Sequence, residues 1–441
     1  MMKRTFFTAL AAMMLCIPAI AETSETVSEK KDTKQEKKEV KYNEKGEIIK
    51  TGLNFGPLPV VAFDADRGFQ YGALLNIYNF GDGSTYPNPK SWWYIEASAY
   101  TKGTWNLFLN YDNREIFDNA RLSICTNYSN ETAMDFYGFN GYQSIYIPDQ
   151  ESFYRYSRQS FRSKADLTGE IADNFFWEAG YTFYWMKDKA FTPENVPADG
   201  SLYQLYKDWG IIEDSGKSQF VSALKAGLMY DTRNVQNNPT KGIWAEAHAI
   251  VAPKWLGSSM DSYKISATWR QYVPIVSDKL VFAYRLAYQG FLGKNTPWYL
   301  LPFYSNMGYT RDYEAIGGYR TVRGLMLNRV QGLHTGFYNF EFRYRFVDFQ
   351  MFNQNIAFAV SAFTDGAQVF KGYDMTNKTG AHKELYKKYV DTSHKDRLHA
   401  TAGAGLRFIM NQNFIVAFEY ARSFNKQDGN GAFYINTGFL F

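Results

Sequence analysis

Apolar and polar residues alternate with a period of two along most of this chain. In residues 337–346, Tyr338, Phe340, Phe342, Tyr344 and Phe346 fall on one side, and Asn339, Glu341, Arg343 and Arg345 on the other. Successive side chains of a strand point to opposite faces, so the pattern predicts a strand with one face suited to lipid and one to water or ionic pairing. Residues 280–289 repeat it, with Leu280, Phe282, Tyr284, Leu286 and Tyr288 set against Val281, Ala283, Arg285, Ala287 and Gln289. Turn signals punctuate such segments from Pro57 to the last residue. Asp64-Ala65-Asp66-Arg67-Gly68, Lys102-Gly103 and the two-residue Asp173-Asn174 each separate a pair of alternating runs. The count is sixteen segments of about the 9 to 11 residues that a tilted membrane strand requires. Short connections alternate with long ones at roughly 130–158, 188–217, 292–332 and 371–397, the asymmetry of periplasmic turns and extracellular loops in a barrel. The predicted fold is all-β, an antiparallel transmembrane barrel of about sixteen strands over residues 56–441.

Composition strengthens this reading. Aromatic residues make up 18% of the 441, with 34 Tyr and 36 Phe, more than a soluble core uses and what a barrel's lipid face and interfacial girdles require. Mean hydropathy is negative. Beyond residue 21 no run approaches the roughly 20 apolar residues of a spanning helix, which excludes a helical membrane protein. A net charge of +4 is nearly balanced and gives no argument for nucleic acid as a partner.

The ends of the chain add context. Lys3 and Arg4, the apolar run 6–17 and Ala19-Ile20-Ala21 form a secretory signal over 1–21, so the mature chain is expected to begin near Glu22. Cys16 could be read as a lipoprotein acceptor, but Leu15 before it does not suit that chemistry. Its removal leaves Cys125 without a partner for an intrachain disulfide. Residues 22–55 are rich in Glu, Lys, Ser and Thr and read as a disordered periplasmic tail, with a short Glu/Lys-supported helix as the alternative.

No catalytic constellation, metal-ligand spacing or cofactor motif stands out. His334, His382, His394 and His399 lie near strand ends or in loops without ligand spacing. The chemistry concentrates in the stretch 317–325, where Gly317, Gly318 and Gly324 permit tight backbone and Arg320 and Arg323 require partners. Val322-Arg323-Gly324-Leu325 resembles the loop motif of the BamA/TamA-type outer-membrane assembly and translocation superfamily, also called the bacterial surface antigen family. Phe340-Glu341-Phe342-Arg343 is similar to its acidic strand motif, and Phe363-Thr364-Asp365-Gly366-Ala367 to the next strand end. Tyr230-Asp231-Thr232-Arg233 with Pro239 and Gly242 resembles a recurrent strand and turn, and Gly403-Ala404-Gly405-Leu406-Arg407 the closing strands. Phe441, with Phe433, Ile435 and Phe439 on its face, resembles the terminal signal of outer-membrane barrels, and Phe439 and Phe441 are expected to face lipid on a last strand, 432–441, that closes against the first.

The resemblance implies that the loop folds into the lumen and that Arg323 meets Glu341 and Asp365. Glu341 already lies on the polar face, and a confined charge needs a hydrogen-bonded partner. The alternative leaves Arg323 in solvent on an external loop. Leu325 stands where the family has Phe or Tyr, and the charged tail stands where many members carry polypeptide-transport domains, which implies a barrel-only member. Client recognition would then fall to a periplasmic or outer-membrane partner subunit, or to the barrel rim. The implied function is assistance in moving or inserting a polypeptide or lipid client at the outer membrane, in contact with its lipid. A passive pore and a structural or adhesive component are the other classes.

Overall fold

A computed structural model describes residues 41–441 except 45, 65–67, 118, 192–199, 214–216, 294–295, 309–310 and 314–315. The expected signal at 1–21, most of the charged tail and the centre of the turn at 64–68 lie outside the described residues. The rest forms one antiparallel sheet of 16 strands in sequence order. Its strands are β1 (Leu53–Asp64), β2 (Gly68–Asn79), β3 (Ser91–Tyr100), β4 (Trp105–Phe117), β5 (Ala120–Asp135), β6 (Arg155–Ala172), β7 (Phe175–Ala190) and β8 (Gln219–Asp231). They continue as β9 (Gly242–Ala252), β10 (Ser262–Val276), β11 (Leu280–Leu292), β12 (His334–Met351), β13 (Gln354–Lys371), β14 (His399–Met410), β15 (Phe414–Ser423) and β16 (Ala432–Thr437). β1 also touches β16, which brings the two ends of the sheet together as a barrel requires.

The alternation sorts the faces. On β12, Phe342, Tyr344 and Phe346 are exposed to the surroundings while Asn339, Glu341 and Arg343 are buried inside, the inverse of a soluble sheet and the arrangement of a lipid-bathed one. The turns at one end are tight. Asp173-Asn174 links β6 to β7 with Asn174 at φ 63°, and Phe352-Asn353 links β12 to β13 with both residues at positive φ, as two-residue hairpins prefer. The other end carries the long connections. β5–β6, β7–β8, β11–β12 and β13–β14 loops there share one apolar core, with Phe136, Tyr203, Tyr206, Trp209, Trp298 and Tyr389 all buried. Two short helices stiffen this cap, α1 (Leu202–Asp208), N-capped by Ser201, and α2 (Lys383–Tyr389).

Three boundaries differ from expectation. The tail was expected to run disordered to residue 55, whereas Tyr42 bridges to Ile48, and the buried Ile48 exchanges backbone hydrogen bonds with the Asn355 side chain at 3.0 and 3.1 Å. Paired backbone groups and an apolar side chain against the rim account for this order. β5 and β6 extend further than their sequence reading, so the loop between them is 136–154. The third difference concerns the chain's end. β16 stops at Thr437, and Gly438 adopts φ 87°, a left-handed turn open to glycine. Phe439, Leu440 and Phe441 leave the wall for the lumen. Phe441 packs with Tyr272, Val281 and Ala283, and Phe439 lies 4.3 Å from the Arg343 guanidinium. The expected lipid-facing closure by Phe439 and Phe441 is therefore corrected: interior arginines offer rings and carbonyls a better partner than the outer face does. Arg343 Nη2 donates to the Phe441 oxygen at 3.1 Å and Arg285 Nη1 to the Leu440 oxygen at 3.4 Å.

Candidate functional site: a loop pinned in the barrel lumen

The β11–β12 connection, 293–333, descends into the barrel. Its tip is shaped by two glycines. Gly317 sits at φ 122°, where a Cβ would lie 2.0 Å from the Met326 carbonyl oxygen, and Gly324 at φ 82°, where a Cβ would meet Ala421 at 2.8 Å. Gly318 N–H donates to the Leu325 carbonyl at 2.9 Å, and the Thr321 hydroxyl donates to the Gly317 carbonyl at 3.0 Å while accepting its N–H at 2.9 Å. These bonds close the tip on itself. Val322 and Leu325, both buried, pack with Tyr304, Tyr313, Ile316 and Phe337, so Leu325 fills its site as an apolar side chain without an aromatic ring.

Arg323 is wholly buried at the wall. Its Nε and backbone N–H donate to Asp365 Oδ2 at 2.8 and 3.0 Å, and Nη2 to Asp365 Oδ1 at 3.1 Å. Nη1 donates to Glu341 Oε2 at 2.9 Å and to Glu419 Oε1 at 2.7 Å. The guanidinium also lies 3.3 Å from the centre of the Phe363 ring. Two wall arginines complete the charge balance. Arg407 reaches Glu341 at 2.8 Å and Glu419 at 2.6 Å, and Arg343 reaches Glu341 at 3.1 Å. Three guanidinium groups thus face three carboxylates, so each buried charge is paired, the condition for tolerating it away from water.

The wall is built to hold this cluster. Glu341 pairs across from Phe363, and Phe363 from Gly403. A Cβ on Gly403 would lie 2.5 Å from the Phe363 ring, and one on Gly405 3.0 Å from Glu419 Cγ. Both glycines of the β14 motif therefore open room on the inner face for the ring and the carboxylate. Gly324 N–H donates to the Tyr434 hydroxyl at 2.9 Å, while Arg285 and Asn339 donate to the Thr321 carbonyl at 3.4 and 2.7 Å.

Two further anchors hold the loop. On its descending limb, Lys164 Nζ donates to the Asn306 carbonyl at 2.9 Å, and Lys264 Nζ to the Phe303 carbonyl at 3.2 Å and the Ser305 hydroxyl at 2.5 Å. On its ascending limb, Arg329 donates to the carbonyls of Gly141 and Ser144 at 3.1 and 3.0 Å and to Asp428 Oδ1 at 3.3 Å. Asp428 lies in the β15–β16 loop. Burial opposes its charge, yet hydrogen bonds and charge from His399, with Arg329 and Tyr142, hold its carboxyl below the usual range.

The structure thus brings Gly317, Gly318, Val322, Arg323 and Gly324 into the lumen against Glu341 and Asp365. Phe439 and Phe441 lie nearby on Arg343 rather than on the lipid face. Sequence reasoning missed Glu419, Arg407 and Arg285 as partners, although β15 carries a signal for the first: Glu419 alternates with Phe418 and Tyr420 on the inward side. At the tight-turn end, Arg233 pairs with Asp231 at 2.6 Å and stacks 3.8 Å from the Trp244 ring, a local clamp on the β8–β9 turn. Among the described residues, no group of His, Cys, Asp and Glu is arranged to hold a metal ion.

Residues 94–441 match the Omp85 superfamily domain. No curated protein matches the chain. Among solved structures it is similar to BamA from Haemophilus ducreyi lacking POTRA domains 1–3, at 18% identity and a TM-score of 0.53, over 88% of this chain and 70% of that one. It is also similar to CdiB from Escherichia coli, at 10% identity and a TM-score of 0.54, over 88% of this chain and 63% of the other. At these identities the likeness speaks for the fold alone. The family match covers most of the chain, and the protein belongs to the Omp85 superfamily of outer-membrane barrels.

Proposed function

We propose that this protein assists the movement or insertion of a polypeptide or lipid client at the outer membrane, with the loop around Arg323 as a plug that keeps the lumen closed between events. The observation that carries this is the placement of Arg323, fully buried and shared among Asp365, Glu341 and Glu419. A barrel serving only diffusion needs a water-filled path, whereas here the loop and the chain's last residues occupy the interior. The short β16, six residues ending at Thr437, is half the length of the twelve-residue β1 it closes against, and a client strand could add to the edge left over through main-chain hydrogen bonds. Residues 1–21 act in this reading as a secretory signal, and the charged tail that follows, 22–55, lies on the periplasmic side. A partner subunit supplies client selection.

The test is single-channel conductance of the mature protein in planar bilayers, comparing wild type with Arg323→Ala and with deletion of residues 317–325. Small, flickering wild-type currents that become large and steady in both variants support the plug. A large, steady current unchanged by either variant overturns it and leaves a porin.

A further inference from the structure

Where the plug loop meets the cap, a wholly buried histidine is held between two carboxylates. His399, the first residue of β14, places Nδ1 2.7 Å from Asp428 Oδ1 and Nε2 3.1 Å from Asp396 Oδ1. Its ring stacks on Tyr142 with centroids 3.9 Å apart and planes 12° from parallel. The groups come from four connections. Tyr142 belongs to the β5–β6 loop, Asp396 to β13–β14, Asp428 to β15–β16, and Arg329, which donates to Asp428, to the plug loop itself. Arg397 lies 4.9 Å from the Tyr142 ring on the outer side. No other charged side chain among the described residues bonds to His399.

The bonding pattern decides where the proton is. A neutral imidazole has one N–H and one lone pair, so it can donate to only one of two carboxylates. The second contact would then set a lone pair against an oxygen, unless that oxygen carried a proton. Both acids are already used as acceptors. Asp396 accepts the Tyr142 N–H at 2.9 Å and the Val369 N–H at 2.8 Å, and Asp428 accepts the Tyr142 hydroxyl at 2.5 Å as well as Arg329. The proton therefore belongs on the imidazole, which donates from both nitrogens.

We propose that the His399 imidazolium is a proton-held latch, fastening the plug loop to the three cap loops and letting them part when it is deprotonated. A histidine bonded as its cation stabilises the closed arrangement below its own titration, while its carboxylates stay ionised, and ceases to do so as pH rises through it. Loss of the proton leaves one buried carboxylate facing a lone pair, which releases Asp396 or Asp428 together with Tyr142. The functional consequence rests on the reading of the loop as a plug, but the latch itself does not.

The test uses the full mature chain in detergent micelles, with histidine labelled at Cε1 and followed by NMR from pH 5 to 10; His399→Gln identifies its resonance. His399 is expected to remain an imidazolium at about pH 7, above the ordinary imidazole value of about 6.5. Asp396→Asn, which keeps the shape of its side chain, is expected to lower the His399 midpoint by at least about one pH unit, a tenfold change in proton affinity. Spin labels at Thr392→Cys and Lys426→Cys, in a Cys125→Ser background, then report the separation of two cap loops. A narrow distance distribution below the His399 midpoint that broadens above it supports the latch. A His399 midpoint at or below the ordinary imidazole value of about 6.5, an unmoved midpoint in Asp396→Asn, or a distribution that stays narrow at every pH overturns it. Conductance is not the readout, so failure of the plug and failure of the latch give different results.

Discussion

Arg323 illustrates how much one residue can hold when its charge is buried with complete pairing. Five hydrogen bonds to three carboxylates offset its desolvation, and among the described residues it is the one ion-pair partner of Asp365. Breaking one member of a buried pair costs about 3–5 kcal/mol. Arg323→Ala is therefore expected to destabilise the folded barrel by that order, measured by urea unfolding in lipid vesicles with tryptophan fluorescence. Arg323→Lys keeps the charge but loses the planar fork that serves Asp365 and Glu341 at once, so it should recover only part of the loss. Equal stability of wild type and Arg323→Ala would mean that lumen water replaces these bonds without penalty.

At the scale of elements, strand β14 shows how small residues on an inner face position large ones. A Cβ on Gly403 would also approach the Tyr420 carbonyl oxygen to 2.3 Å, so Gly403→Val is expected to cost about 1–3 kcal/mol through overpacking. Ala404→Val, one residue along but exposed on the outer face, should lie within about 0.5 kcal/mol of wild type. A matching loss in both would show that strand propensity, and not the inner packing, governs this site. The last element makes a second prediction. Because Phe441 packs in the lumen on Tyr272, Phe441→Ala is expected to lower the unfolding midpoint while membrane insertion, followed by heat-modifiable migration on gels, remains intact. Loss of insertion with an unchanged midpoint would restore a role at the lipid-facing seam. Much of this organisation was readable beforehand. Strict alternation in β11 and β12 disclosed the strands and their inner charges, because a period of two assigns every side chain to a face. The same rule misled at the end of the chain: Phe433, Ile435, Phe439 and Phe441 keep the period, yet Gly438 turns the backbone away from the wall between them. Tyr137, Tyr203 and Trp298 likewise look like membrane aromatics but form the core of the cap, since loop side chains have no periodicity to reveal their neighbours. Glu419 could be placed on the inner face, but its meeting with Arg323 depends on sheet curvature that one strand does not encode.

For the whole molecule, the plug is fastened at separate places to separate parts of the barrel. Arg323 ties its tip to β12, β13 and β15, Lys164 and Lys264 tie its descending limb to β6 and β10, and Arg329 ties its ascending limb to the cap through Asp428. Stability effects at such separate sites should add, because they share no partners. Conduction should not, because each remaining anchor keeps part of the loop in the path, so freeing two opens it further than freeing either alone. Acid offers a way to weaken the third anchor. The carboxyl of Asp428 is held below its usual range, so its contribution is present above the unfolded value of about 3.9 and fades as pH falls through the lower folded value. Wild-type conductance is therefore expected to stay low from neutral pH down to about pH 4 and to increase below it. Asp428→Asn should bring the same modest increase to neutral pH and flatten the acid response. Combined with Arg323→Ala, it should raise open-channel current by more than the sum of the two single variants, because the anchor left in either one still keeps part of the loop in the lumen. A strictly additive current would mean that the anchors gate independent paths, and the loop would then be two separate constrictions and not one plug.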